Sequence, residues 1–293
     1  MTILEGIAQG VIQGLTEFLP VSSSGHLSLF QHFFGLSGSG SLFFTLMLHV
    51  GTLVAVCAAF WKTIVKMIAA FFTMLGDIFK GRFHFSTCPP EQRMVVLLII
   101  ALLPLLGFYF LKDYAEMFAE DSDIIVEGVC FLFTGTLLLL ADRTPVKREG
   151  VMQMKPLHAL VVGLFQGVAL LPGVSRSGST TASGMLMGFN REYMVEFSFI
   201  LGIPVILASS ATELRSAVAT GLDVPVVPLV AGVITAAIVG YLAIVLVRWL
   251  ARTDRYAVFG YYTLVLGLAV VAIGIIEHSV GLNFVDYIKQ LVG

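Results

Sequence analysis

Apolar runs dominate the chain, and their lengths sort them into two kinds. A bilayer core takes about 20 apolar residues of helix, and the stretches 42–61, 94–111, 124–141, 193–213, 225–247 and 256–277 meet that length. Two further apolar regions, 2–34 and 156–190, are each broken in the middle by Pro, Gly and Ser. Their halves, roughly 15 residues each, are too short to cross, so each region predicts a re-entrant helical hairpin. The pattern therefore predicts an all-α, polytopic integral membrane protein of six transmembrane helices and two re-entrant hairpins.

The hairpins are also where the polar residues collect. Residues 13–26 read Gln-Gly-Leu-Thr-Glu-Phe-Leu-Pro-Val-Ser-Ser-Ser-Gly-His, and residues 166–178 read Gln-Gly-Val-Ala-Leu-Leu-Pro-Gly-Val-Ser-Arg-Ser-Gly. Gln13 matches Gln166, Ser22 matches Ser175 and Gly25 matches Gly178, all at an offset of 153; Phe44-Thr45-Leu46 matches Phe197-Ser198-Phe199 at the same offset. The chain thus divides into a first repeat, 1–150, and a second, 151–293, each a hairpin followed by three spans. Three is odd, so the second repeat enters the membrane upside down. An inverted-topology repeat of this kind places its site near the midplane, where the two hairpins are expected to meet.

Composition agrees: 57% of residues are hydrophobic and 12% charged, with a mean hydropathy of +0.94. The net charge of −2 says little, but the placement of the 17 Lys and Arg residues is informative. With the spans alternating, Lys112, Arg215 and Lys289 fall on one side, Arg176 lies inside a hairpin, and all the others collect on the opposite side. By the positive-inside rule that opposite side is cytoplasmic and both termini lie outside. Residues 62–80 set Ile64, Val65, Ile68 and Phe72 against Lys62, Lys66 and Lys80, the pattern of a helix lying on the cytoplasmic surface. The acidic run from Asp113 to Asp123 reads as a solvated outer loop. The N-terminus lacks a basic region and is interrupted by Gln9, Gln13 and Glu17, so no cleaved signal peptide is expected. The three cysteines form no C-x-x-C pair, which argues against a zinc site or a disulfide framework.

Ionisable residues at membrane depth cost about 2.5–3.5 kcal/mol each on insertion scales, so Glu17, His26 and Arg176 are functional candidates by default. A buried Glu–Arg pair alone would tie two hairpins together, but it would not need hydroxyls around it. Ser22, Ser23 and Ser24, with Ser175, Ser177, Ser179 and Thr180, stand at breaks between half-helices, where caps and free backbone N–H groups make an anion site. A guanidinium among them suits phosphate oxygens, which it grips with two parallel bonds. Close helix packing explains Gly163, Gly167 and Ser183 but not Arg176. Ser23 is a candidate nucleophile if His26 or Glu17 takes its proton, and His26 is itself a candidate acid, base or nucleophile. Gln13 and Glu17, four residues apart on one helix face, are the candidate metal ligands, with Gln166 as a supporting residue. His49, in an apolar span, is the remaining histidine with a place in reserve behind them.

Gln13-x-x-x-Glu17, Pro20-Val-Ser-Ser-Ser-Gly-His26 and Pro172-Gly-Val-Ser-Arg-Ser-Gly-Ser-Thr180 together resemble the two signature motifs of the bacterial undecaprenyl pyrophosphate phosphatases. The resemblance implies hydrolysis of a C55 isoprenoid pyrophosphate to the monophosphate and inorganic phosphate, recycling the lipid carrier of cell-wall synthesis. It implies a bacterial plasma (inner) membrane location with the site open to the periplasmic side, dependence on a divalent cation such as Mg²⁺ or Ca²⁺, and bacitracin resistance on overproduction. By position, Glu17, Ser23, His26 and Arg176 inherit the catalytic roles; Ser22, Ser24, Ser175, Ser177 and Thr180 are the candidate phosphate contacts from the reading of the two breaks. Gln13 stands where many members carry Glu. The motifs also resemble those of unrelated lipid phosphatases whose nucleophile is a histidine six residues after the Ser-Arg pair, but Ala182 stands there. Ser23, His26 and water remain as nucleophiles, and Ser23 with His26 as its proton partner and Arg176 on the phosphoryl group is the expected arrangement. The expected partners are undecaprenyl pyrophosphate and the bilayer, with no nucleic acid. A homodimer is the expected assembly, because C₂ pairs are the commonest. The rival from another class is a lipid-phosphate flippase or anion transporter, which shares the inverted-repeat plan but has no need of a serine–histidine group beside the glutamate.

Overall fold

A computed structural model describes residues 2–36, 41–108, 110, 124–220, 225–253 and 255–281. The acidic run ending at Asp123, together with Lys112, Lys289 and both chain ends, lies outside the described residues. The helices are α1 (Ile3–Phe18), α2 (Ser23–Phe34), α3 (Ser41–Ala59), α4 (Trp61–Phe79), α5 (Pro90–Phe108), α6 (Ile125–Asp142), α7 (Pro156–Val168), α8 (Arg176–Leu186), α9 (Arg191–Thr220), α10 (Val226–Arg252) and α11 (Ala257–Val280). Among the described residues the sole extended pairing is a bridge between Arg148 and Phe189.

Helices α5, α6, α9, α10 and α11 are long and apolar enough to cross a bilayer, and α3 makes a sixth when taken with α4, from which it is bent by 83°. The bend turns α4 across the axis of α3, as the alternation of Lys62 and Lys66 with apolar residues predicts. Trp61, Val65, Ile68 and Phe72 are exposed along α4 while Ala70 and Met74 are buried beneath it, and the Thr63 hydroxyl donates to Glu196 of α9 at 3.2 Å.

Each hairpin breaks where its sequence says. In the first, Pro20 cannot extend α1 and Ser22 restarts the chain as the cap of α2, its Oγ accepting the Gly25 N–H at 3.3 Å. In the second, Leu171-Pro172-Gly173 ends the turn after α7, and Ser175 caps α8 by accepting the Gly178 N–H at 3.0 Å. The same capping bond thus recurs at the matched residues. With 16 and 12 residues in one hairpin and 13 and 11 in the other, no hairpin helix exceeds about 24 Å at 1.5 Å per residue, short of a hydrocarbon core of about 30 Å.

Packing crosses between the halves. Hairpin helix α1 lies along α10, hairpin helix α7 lies along α5, and α6 lies along α11. A core of Phe18, Val21, Leu97, Ala101, Val162, Phe197 and Leu201 joins the first hairpin to the second half, with Phe18 edge-on to Phe199 at 5.2 Å. The α1–α10 contact depends on absent side chains: a Cβ on Gly14 would stand 2.8 Å from the Gly240 nitrogen and 2.9 Å from the Ala236 oxygen. Both are backbone atoms that cannot swing away. Gly14→Leu is expected to destabilise the fold by at least about 1–3 kcal/mol, read as a lower thermal unfolding midpoint in detergent, while the same change at Gly76, which meets nothing within 4 Å, costs only helix-surface effects.

Candidate active site

The two hairpin tips touch. The Ser177 hydroxyl of α8 donates to the Leu19 carbonyl of the first tip at 3.2 Å, and a Cβ on Gly25 would lie 3.0 Å from the Gly173 Cα of the second. That contact carries the polar residues of both motifs to one cavity of about 350 Å³, walled by Glu17, Ser22, Ser23, Ser24, Ser175, Arg176 and Ser177 on its polar side. Leu46, Leu105, Leu170, Val205 and Ile206 form its apolar side.

Glu17 is the hub. Buried at the end of α1, it receives the Ser23 hydroxyl on Oε2 at 2.7 Å and the Gln13 amide on the same oxygen at 2.9 Å. Its Oε1 accepts Arg176 Nη2 from the other hairpin at 2.7 Å. The buried charge is therefore compensated by a cation and by two further hydrogen bonds, the condition under which a buried pair is tolerated. Arg176 Nη1 reaches the Ser198 carbonyl of α9 at 3.4 Å, and a Cβ at Gly202 would collide with the guanidinium.

His49 completes the hub. Its Nε2 stands 3.5 Å from Glu17 Oε2, and its Nδ1 bonds the Thr45 carbonyl at 2.9 Å. Thr45 and Ser198 are matched residues of the two halves, as are His49 and Gly202. Where the first half presents an imidazole, the second leaves a gap that Arg176 fills. From the sequence His49 holds only a place in reserve; an ionisable residue in an apolar span is the signal that points to it.

The other predicted residues fall into two sets. Gln166 lines the cavity with both amide atoms buried. Ser22 and Ser24 share a 3.3 Å contact, as do Ser175 and Ser177. Thr180 and His26 stand apart from the cavity wall. Thr180 Oγ1 donates to the Arg176 carbonyl at 2.8 Å and meets Ser198 Oγ at 2.6 Å, bracing the start of α8. His26 lies one turn beyond Ser23 on α2, but its Nδ1 folds back onto the Ser22 carbonyl at 2.7 Å and its Nε2 meets the Tyr262 hydroxyl of α11 at 2.7 Å. The Ser23 hydroxyl donates to Glu17, not to His26. Tyr262 and Ser198 belong to neither motif, and nothing in the sequence marks them as site residues.

The donor set does not fit a resident divalent cation. Mg²⁺ and Ca²⁺ want six or more oxygens. Here the one carboxylate is occupied by Arg176, Ser23 and Gln13, and Gln13 turns its nitrogen, not its oxygen, toward Glu17. Among the described residues no cluster of three His, Cys, Asp or Glu side chains is placed to hold a metal.

What the arrangement offers chemically is a hydroxyl hydrogen-bonded to a carboxylate, beside a guanidinium and two capped helix N-termini, at the polar end of a half-apolar cavity. The profile of the family described as bacitracin resistance protein BacA matches residues 6–269. The undecaprenyl-diphosphatase of Alkaliphilus metalliredigens is 37% identical over 274 residues, covering 92% of this chain and 98% of its own. That of Methanosphaera stadtmanae is 36% identical over 284 residues, covering 94% and 99%, and that of Treponema denticola is 36% identical over 273 residues, covering 92% and 96%.

Proposed function

The chain belongs to the bacitracin resistance protein BacA family, and from that membership and the cavity we propose that it is an undecaprenyl-diphosphatase acting through Ser23. It hydrolyses undecaprenyl pyrophosphate to undecaprenyl phosphate and inorganic phosphate. The observation that carries the reading is the chain of contacts Ser23 Oγ to Glu17 Oε2 and Glu17 Oε1 to Arg176 Nη2, both 2.7 Å, drawn from two hairpins into one cavity.

Before substrate binds, Arg176 neutralises Glu17. A pyrophosphate competes for the same guanidinium, since phosphate oxygens accept its paired donors as well as a carboxylate does. As Arg176 turns to the phosphate, Glu17 is released to take the Ser23 proton. Ser23 Oγ attacks the terminal phosphorus, the bond from that phosphorus to the bridging oxygen breaks, and undecaprenyl phosphate leaves. Glu17 passes that proton to the freed oxygen of the departing undecaprenyl phosphate; water then attacks the phosphoserine, giving one proton to Glu17 as the bond from phosphorus to Ser23 Oγ breaks, Oγ takes that proton back from Glu17, and inorganic phosphate leaves. Arg176 and the capped N-termini at Ser22 and Ser175 stabilise the charge on the equatorial oxygens. The first isoprene units lie against Leu46, Leu105 and Ile206 on the apolar side.

The protein is a multi-pass membrane protein. In our reading it sits in the plasma membrane with the cavity open to the periplasm, both termini outside, the loops around α4 and between α6 and α7 in the cytoplasm, and two copies associating as a dimer; the clustering of Lys and Arg supports the orientation. The halves are inverted repeats, as the recurrent capping bond and the α1–α10 and α5–α7 packing support. A divalent cation that takes part arrives on the pyrophosphate, because the described side chains around the cavity do not enclose one. Glu17→Gln, which keeps shape and removes the proton acceptor, is expected to lower phosphate release from undecaprenyl pyrophosphate in detergent by about 10²–10⁴-fold. Release within threefold of wild type would remove Glu17 from the mechanism.

A further inference from the structure

Ser23 is aimed by the residue before it. Ser22 is the one non-glycine residue among those described with a positive φ, 72°, a conformation that costs of order 1–3 kcal/mol and persists only where neighbours hold it. Its hydroxyl caps α2, but its carbonyl is held from elsewhere, by His26 Nδ1 at 2.7 Å. A carbonyl only accepts, so Nδ1 carries the hydrogen, and in the neutral ring Nε2 accepts. The group on Nε2 is the Tyr262 hydroxyl at 2.7 Å, which therefore donates. Tyr262 also stacks on the imidazole at 5.7 Å and 12°, and Phe131 closes its edge at 5.2 Å. Both ring nitrogens are thus engaged, with two aromatic rings packed against the imidazole, and neither nitrogen bonds Ser23 or Glu17.

We infer that Tyr262, acting through the His26 ring, is a positioning residue that holds the Ser22 turn and with it the aim of the Ser23 hydroxyl at Glu17. The inference rests on the phosphatase reading and deepens it. It makes the motif histidine a strut between α11 and the nucleophile rather than the group that takes the serine proton. Tyr262 lies 236 residues from His26, so α11 contributes to the site without lining its cavity.

Substitutions at the two residues separate a strut from an acid–base group. His26→Asn places an amide N–H where Nδ1–H stands and cannot carry a proton between groups; His26→Ala provides neither. For the purified protein turning over undecaprenyl pyrophosphate, His26→Ala is expected to lower kcat by about 100-fold and His26→Asn to recover at least tenfold of that. Tyr262→Phe, which keeps the ring and loses one hydrogen bond, is expected to lower kcat by about three- to tenfold with KM unchanged. In the His26→Ala background it is expected to do nothing further. An Asn variant as inactive as the Ala variant, a Tyr262→Phe enzyme at wild-type kcat, or losses that multiply in the double variant would each overturn the strut. A second readout is independent of activity: ¹⁵N spectra of the histidine-labelled protein are expected to show His26 protonated at Nδ1 and its Nε2 signal moved by Tyr262→Phe. A His26 carrying its proton on Nε2 alone overturns the strut even if the wild type is active. A wild type that releases no phosphate while the spectra come out as expected overturns the phosphatase reading and leaves the strut standing.

Discussion

Arg176→Ala is expected to release phosphate from undecaprenyl pyrophosphate about 10³-fold more slowly than wild type, the scale on which an arginine stabilises a transferring phosphoryl group. Among the described residues no other guanidinium or ammonium lines the cavity: Arg176 Nη2 is 2.7 Å from Glu17 and its charge comes from the second hairpin, while the other polar groups of the wall include serines, Gln166 and the His49 imidazole. Removing it also leaves Glu17 buried without its cation, which costs about 3–5 kcal/mol of stability in typical buried pairs. Loss of activity from Arg176→Ala alone is thus open to a folding explanation. Arg176→Lys decides between the two. A lysine keeps the charge beside Glu17, and the protein survives in detergent, but it lacks the planar fork that grips two phosphate oxygens. The expected result is a stable Arg176→Lys protein still slowed by about tenfold or more. A lysine variant at full rate would reduce Arg176 to a tie between the hairpins.

Ser23→Ala is expected to give the second large loss, about 10⁴-fold or more, as for other enzymes deprived of their nucleophile. The change removes one hydroxyl whose bond is to Glu17, so its effect on stability stays near the roughly 1 kcal/mol of a single hydrogen bond. Ser22→Ala and Ser24→Ala serve as comparisons on the same turn. Ser22 Oγ caps α2 and its loss acts through the helix start, with a fall in stability of about 1 kcal/mol. Ser24, on the cavity wall and touching the Ser22 hydroxyl, loses rate modestly. A rate for Ser23→Ala within an order of magnitude of wild type would hand the attack to water or to His26.

Much of this architecture is legible in the chain, because the determinants are local. Pro20 and Pro172 interrupt apolar runs, serines two or three residues later cap the next helix, and the offset of 153 brings the two breaks into register before any geometry is known. Glu17 and Arg176 stand out as charges at membrane depth. The turn of α4 away from α3 is legible from Lys62 and Lys66 against an apolar face. The remainder depends on contacts far apart in sequence or on rotamers. Ser23 and His26 are three positions apart on α2, a spacing that permits a contact, yet the imidazole turns away because the Ser22 carbonyl and the Tyr262 hydroxyl claim its nitrogens. Likewise Gln13 and Glu17 at a spacing of four fit a shared cation or a mutual hydrogen bond equally well. The structure has the hydrogen bond, since Arg176 already supplies the positive charge that a cation would bring. The pairing of His49 with the gap over Gly202 is present at the same offset as the motifs, but a histidine matched to a glycine reads as divergence until Arg176 is seen to fill the space.

Attack by the Ser23 hydroxyl, held on Glu17, on the terminal phosphoryl group is the step on which the proposed chemistry turns. It is tested most directly by mixing the purified protein with undecaprenyl pyrophosphate radiolabelled in its terminal phosphate, quenching within one turnover, and mapping the bound label by peptide. Label is expected on the peptide carrying Ser23, chased into inorganic phosphate in wild type and absent from Ser23→Ala. Labelled phosphate released at full rate with no label ever on Ser23 would contradict it.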